Sequence, residues 1–484
     1  MEIIGSLILS IIQSILFYGK QIGISMLIFE FVCNGIILFV LNKKEKIQNK
    51  AGLWLMVPIV LLSSTYFIFA NRTFYVANIF VIFALNFIMY VILTNQKGTL
   101  TNYLYKTGML FTDTVGEWQD GLKLSEKVAN EHLSVKKKTV NFKKIAKSVL
   151  IVCVVVGIVL ILLSSADSIF ANLFSGIGRI FTHINTANTF NLILRIVIIV
   201  MVYFLFLSFI LKLQEELEED EYTYKVEEKD TFTIKILLVT LNIVYLIFCF
   251  IQIQSLFARI NIQDSFDYVN YARRGFFQLM FVSFINLAVI LISNRYNAKK
   301  EKNIKILNLM LVVFTIIIAI SSMYRMHMYE MEYGLTYLRM FVYIILITEI
   351  IAFIPIVKYI LDDKFDFMKW CFGICIGAYC VANLMNIENI IVSKNLTRES
   401  IRSIDYNYLS NIASEDSYII LEDKLQDQNI DLKEETAIEN ILINIKKNEK
   451  QLSWQEFNIS KMRIQKRRTN IRQMREETYN YDYE

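Results

Sequence analysis

Long apolar runs broken by short polar links set the pattern of this chain from its first residues. Runs of about 18–22 apolar residues match the length at which a helix crosses a bilayer core. They predict membrane helices over Ile3–Tyr18, Gln21–Leu41, Ala51–Ala70, Thr73–Thr94, Ser148–Ala166, Asn191–Leu211, Lys235–Leu256, Phe276–Ser293, Ile306–Met323, Leu335–Val357 and Phe367–Met385. The first run is the shortest, and it reads either as a span or as a re-entrant or interfacial segment. It begins almost at Met1 without a basic stretch or a small-residue cleavage site, so it reads as a retained segment and not a cleaved leader. Beyond Met385 the pattern changes. Ile401–Leu409, Ser417–Gln426, Thr436–Lys447 and Trp454–Arg475 mix apolar and charged positions at helical spacing, which predicts a small helical domain.

The expected fold is therefore an all-α integral membrane protein with about eleven transmembrane helices and a small α-helical C-terminal extracytoplasmic domain. Its segments are N-terminal transmembrane helices over 1–94, a cytoplasmic loop over 95–147, a transmembrane core over 148–385 and a helical tail over 386–484. The loop reads as partly helical around Glu117–Leu133, and the acidic stretch in Gln214–Asp230 reads as a solvated link.

Orientation follows from the Lys/Arg bias of short loops. One set of alternate connections carries about 25 Lys/Arg and the other about 7. The richer set is expected to be cytoplasmic, which puts the tail after Met385 outside the cell membrane. The basic run Lys461, Arg463, Lys466, Arg467, Arg468, Arg472 and Arg475 opposes this, but it lies far from the last span, where charge steers insertion weakly.

Composition narrows the class further. Of 484 residues, 55% are hydrophobic and 20% charged, against about 45–50% and about 25% in soluble domains. That excludes a soluble enzyme and a disordered chain. A net charge of +5 gives no sign of a nucleic-acid partner. The six cysteines lie in apolar runs, so no disulfide framework is expected. No cofactor, metal site or catalytic residue is assigned, and phosphate-loop, dinucleotide, zinc-protease and hydrolase-elbow motifs are missing.

Ionisable residues inside spans are costly in lipid and should face the bundle interior. Three qualify: Glu30, Arg195 and Glu349. Arg195 is most simply satisfied by a carboxylate, and a substrate or proton path is the sharper alternative. Pro58 and Pro355 read as kink positions. Gly373 and Gly377 form a Gly-x-x-x-Gly step that permits close helix packing. Leu61–Asn71 reads much like Leu162–Asn172, either as a repeat or by coincidence of composition.

Two stretches gather binding chemistry. Before the eighth span, Arg273 and Arg274 can clamp an anion, or anchor on headgroups with their aromatic neighbours. Asp167, at the outer end of the fifth span, is within reach of them as an ion-pair partner. After the ninth span, a continuing helix would put Arg325, Tyr329, Glu332 and Thr336 on one face, with His327 beside Glu330 and Arg339 just beyond. Such a stripe must meet protein, water or headgroups.

These stretches also carry a resemblance. Leu163–Phe170, Tyr271–Leu279, Ser322–Met326 with Tyr329, and Tyr333–Arg339 resemble a bacterial multipass membrane family known as a domain of unknown function (group 4173, similar to group 4153). Asn386–Ile390, Asp405–Leu409 and Trp454 with Phe457-Asn458 resemble its tail. Ser168, and Ser393-Lys394 before Asn395, depart from the pattern. The resemblance implies a membrane fold and no assigned activity.

The motifs fall on one side in this threading. The expected role is thus a non-enzymatic envelope binding, sensing or accessory protein, whose outer loops form a platform for the tail. Its partners would be the bilayer and an envelope protein or anionic lipid. A transporter or channel built on Glu30, Arg195 and Glu349 is the alternative. An outer-face enzyme on a lipid-linked substrate, with Arg273/Arg274 as clamp and His327 or Glu330 as acid or base, is the third.

Overall fold

A computed structural model of the chain describes residues 1–70, 73–96, 98–116, 123–125, 186–215, 231–257, 265–297, 301–398, 404–427, 430–447 and 452–465. The described residues are helical, with no strand among them. Eleven long elements precede the tail: α1 (Glu2–Phe17), α2 (Ile24–Lys43), α3 (Met56–Ile68), α4 (Tyr75–Thr94), α5 (Leu100–Gly116), α6 (Thr186–Lys212), α7 (Thr231–Phe257), α8 (Ser265–Tyr296), α9 (Lys302–Tyr333), α10 (Tyr337–Leu361) and α11 (Phe367–Leu384). The tail adds α12 (Ile387–Leu396), α13 (Tyr406–Ile412), α14 (Tyr418–Leu425) and α15 (Leu432–Lys447).

Among the described residues, nine helical stretches are long and apolar enough to cross a membrane. They coincide with nine of the eleven predicted spans. The predicted fifth span, Ser148–Ala166, lies outside the described residues, as does the second copy of the Leu-Leu-Ser-Ser repeat. Helix α1, at 16 residues, is a shorter apolar helix. Part of the predicted 95–147 connection forms α5, where Phe111 packs its ring against Phe83 and Phe87 of α4.

Local chemistry explains several boundaries. Asn49 caps a short 3₁₀ segment, Lys50–Leu55, by accepting from the Ala51 amide at 3.0 Å. This segment runs straight into α3 and presses on α4: a Cβ on Gly52 would sit 2.8 Å from the Met89 carbonyl oxygen. Pro58 therefore falls in the first turn of α3, where a missing amide hydrogen costs nothing, and it needs no kink. Pro355 does lie within α10. Gly373 and Gly377 have no neighbour within 4 Å of where a Cβ would stand, so that step packs no helix among the described residues.

Two helix groups share the load. Helices α1–α6 and α11 enclose one core around Leu9, Leu41, Leu62, Met89 and Ile210. Helices α7–α10 enclose another around Leu238, Ile290, Leu311 and Phe353. Tyr18–Gly23, Phe69, Ala70, Phe74 and Gly334–Thr336 lie together with the end of α11 on one face, the tail face. Lys44–Asn49, Asn297, Glu301 and Asp362–Asp366 lie on the opposite face, where Lys305 pairs with Asp363 at 3.6 Å and Lys235 with Glu301. Helix α9, at 32 residues, is about 48 Å long against a hydrocarbon core of about 30 Å. Its last turns reach the tail, where Lys394 lies 3.6 Å from Glu330.

The tail folds on its own apolar centre, with Leu409, Tyr418, Leu421 and Ile438 fully enclosed. It then clamps the connections below it. Asn458 donates to the carbonyls of Tyr66 and Phe69 at 3.0 and 2.7 Å. Asp416 accepts from the Ala70 amide at 2.9 Å. Glu456 accepts from the Gln21 amide at 2.7 Å, and a Cβ on Gly23 would come within 2.6 Å of the Glu456 backbone.

Candidate functional site

The emergent end of α9 holds most of the predicted binding residues. Gly334, at φ +80°, ends the helix, and α10 starts three residues later at Tyr337. This corrects one expectation: Thr336 does not extend the α9 stripe. It caps α10 instead, accepting from the Arg339 amide at 3.4 Å.

Glu330 is the hub of the cluster. Tyr343 donates to its Oε2 at 2.7 Å, Lys394 Nζ of the tail lies 3.6 Å from Oε1, and His327 Nδ1 lies 3.8 Å from Oε2. The carboxylate is buried, while Lys394 and His327 remain largely exposed. Arg339 lies over the Tyr329 ring at 4.3 Å and donates to the Gly334 carbonyl. Glu332 supplies a backbone carbonyl to Arg398 at 3.2 Å. Arg325 is buried on the inner side of α9.

Beside this cluster α9 and α10 line an open groove of about 740 Å³, with Ile390 and Lys394 of α12 on its rim. Its wall is apolar: Ile320 and Met323 from α9, Ile347 and Ile351 from α10. His327, Glu330 and Lys394 line it too, with Tyr324 and Tyr343. Arg273 and Arg274 stand on α8 one turn before Phe277, which packs in the same apolar cluster as Met323, Tyr329 and Tyr343. The backbone thus puts them at this end of the bundle; their side chains lie outside the described set. So does Asp167, together with its expected pairing to those arginines.

The intramembrane charges fall elsewhere. Glu30 is buried in the first helix group, accepting from Asn34 and Asn86 at 3.1 and 2.8 Å. Glu349 is buried in the second, accepting from Ser283 at 2.8 Å. Arg195 is met by a hydroxyl and a ring in place of the expected carboxylate. Its Nε donates to Ser14 Oγ at 2.8 Å, and Tyr18 lies 5.6 Å away.

A family described as a domain of unknown function, DUF4153, matches residues 56–423 in sequence. The chain belongs to the DUF4153 family. The matched stretch of this DUF4153 protein runs from the start of α3 into α14, so it takes in the groove and the tail contacts at Gly334. It leaves out α1, α2 and the segment 452–465. No curated protein and no solved structure matches the chain.

Sequence reasoning missed Tyr343, because a lone tyrosine in an apolar run reads as a membrane residue. It noticed Lys394 only as a departure from the family pattern. It also missed Glu388. This buried carboxylate of α12 accepts from the Ser414 amide at 2.6 Å and from the Ser414 and Ser417 hydroxyls at 2.7 Å each. Its partners lie 26 and 29 residues away, beyond the reach of any helical spacing rule.

Proposed function

We propose that this is a non-enzymatic binding protein of the cytoplasmic membrane, with its tail outside, that holds an anionic lipid on its tail face. The α9–α10 groove carries the reading. It opens toward the lipid phase along an apolar wall and closes at a mouth with two exposed basic side chains, Lys394 and His327. That arrangement suits an acyl chain below and a phosphate above, since an ammonium group and an imidazole N–H both donate to phosphate oxygens. Glu330 orients both basic groups. The basic connections on the opposite face, with Lys44, Lys302, Lys305 and Lys364, support a cytoplasmic placement for that side.

Phosphatidylglycerol is expected to stay bound to the detergent-purified full chain in native mass spectrometry. Lys394→Glu with His327→Glu is expected to cut its occupancy by about tenfold, the equivalent of about 1.4 kcal/mol. Equal occupancy in the variant, or equal retention of phosphatidylcholine, would count against the lipid reading. For orientation, a cysteine at Asn411 is expected to react with an impermeant thiol reagent in intact cells. A cysteine at Lys364 is expected to react only after permeabilisation, both in a background lacking the six native cysteines. The reverse pattern would place the tail inside.

A further inference from the structure

The α7–α10 group contains a polar seam that lipid binding does not use. Near the tail face, Ser321 of α9 donates to Gln252 of α7 at 2.9 Å. At mid-height Ser283 donates to Glu349, and Tyr245 and Thr315 bracket Asn286 at 2.7 and 3.1 Å. Toward the opposite face Ser293 donates to Asn308 at 2.7 Å. Helices α7, α8, α9 and α10 each contribute, and the pairs descend in order along α8 and α9. All these side chains face inward in a bundle whose outer surface is apolar.

The seam is polar beyond what the helices need for packing, and it is unfinished. Glu349 Oε1, Asn242 Oδ1, Asn308 Nδ2 and Asn294 Oδ1 are buried without a protein partner. Orphaned atoms of this kind are costly in a membrane interior unless water or a proton meets them. They fall on all four helices of the group, one each on α7 and α10 and one each on α8 and α9. Between the mid-height group and Asn308 the seam narrows among the buried Ile290, Leu311 and Val312, with Asn242 Nδ2 donating to the Leu307 carbonyl at 3.2 Å beside them. Seven residues separate Asn286 from Ser293, about 10 Å along the helix. A largely apolar constriction of that length can gate water by dewetting.

We infer that this seam is a proton pathway through the α7–α10 bundle, with Glu349 as its proton-carrying group. Intramembrane carboxylates facing a bundle interior serve as such relays because they hold and release one proton where other side chains in the seam cannot. Glu349 takes a proton from water on one side through its free Oε1 and returns it to water on the other. The seam's hydroxyls and amides orient the water between. Glu30 plays no part, since both amides on its Oε2 belong to the other helix group.

The full chain in liposomes enclosing a pH-sensitive dye, with a valinomycin-imposed potential, tests this. Wild type is expected to carry protons about tenfold faster than empty liposomes. Glu349→Gln is expected to return to the empty-liposome rate, and Glu30→Gln to keep the wild-type rate. Wild-type flux at the empty-liposome rate, or full flux in Glu349→Gln, overturns the inference. A second measurement needs no variant. Dicyclohexylcarbodiimide, which adds to protonated carboxyls from the lipid phase, is expected to modify Glu349 and stop the flux. Flux that persists with Glu349 fully modified also overturns it.

Discussion

Gly334→Ala is expected to loosen the tail from the membrane bundle and to destabilise the chain by about 3 kcal/mol or more. Two independent effects add. The backbone at Gly334 has φ +80° and ψ 176°, a region that residues with a Cβ avoid, at a cost of about 1–3 kcal/mol. The new methyl would also stand 2.4 Å from Asn395 Oδ1 and 2.9 Å from Arg398 Nη1. Asn395 is the tail's bidentate hold on this turn, accepting from the Leu335 amide at 2.7 Å and donating to its carbonyl at 2.8 Å. Pushing it away leaves two buried backbone groups unpaired, each worth about 1–3 kcal/mol when orphaned. Limited proteolysis between the last span and α13, together with thermal unfolding, reads the result. Gly35→Ala on α2, where a Cβ meets nothing within 4 Å, is the matched control and is expected to be neutral or slightly stabilising. If both variants melt together with wild type, the Gly334 turn is not what secures the tail.

Much of this architecture is written in the hydropathy of the chain. Runs long enough to span a bilayer leave little choice of element, so eight of the nine described spans match their predicted bounds within a few residues, while α9 continues ten residues past the expected Met323. The polar positions are less legible. His327 and Glu330, three residues apart on one helix, could be paired from spacing alone, and the structure places them 3.8 Å apart. Lys394 joins them from 64 residues downstream, Tyr343 from across a turn, and neither contact leaves a periodic signature. The failure at Thr336 has a definite cause: helical spacing was extended through Gly334, where the backbone turns to positive φ. Arg195 shows a subtler limit. Charge invites charge in a sequence reading, but the Ser14 hydroxyl and the Tyr18 ring meet the guanidinium at the tail-face end of α6.

Tail docking is also expected to weaken as pH rises, through Glu388. Burial pushes this carboxyl up to about 7 from its ordinary 4.5. The hydrogen bonds from Ser414 and Ser417 act against that rise, and the Asp416 carboxylate adds to it. With the folded value above the unfolded one, docking is fully supported below about 4.5, where the group is protonated in both states. Support falls as pH climbs through about 7 and is level above that, a total loss of about 3 kcal/mol at about 1.4 kcal/mol for each pH unit between the two values. Asp416 ties this to the bundle, because it accepts from the Ala70 amide while lying on the same turn as Ser414 and Ser417. Glu388→Gln removes the ionisation and keeps an acceptor for the turn, with its amide free to donate to a hydroxyl that rotates. The variant is expected to match wild type near pH 4.5 and to hold the tail more firmly at pH 8, with protection from proteolysis that no longer changes between those values. An unchanged pH slope in Glu388→Gln would show that another group governs docking.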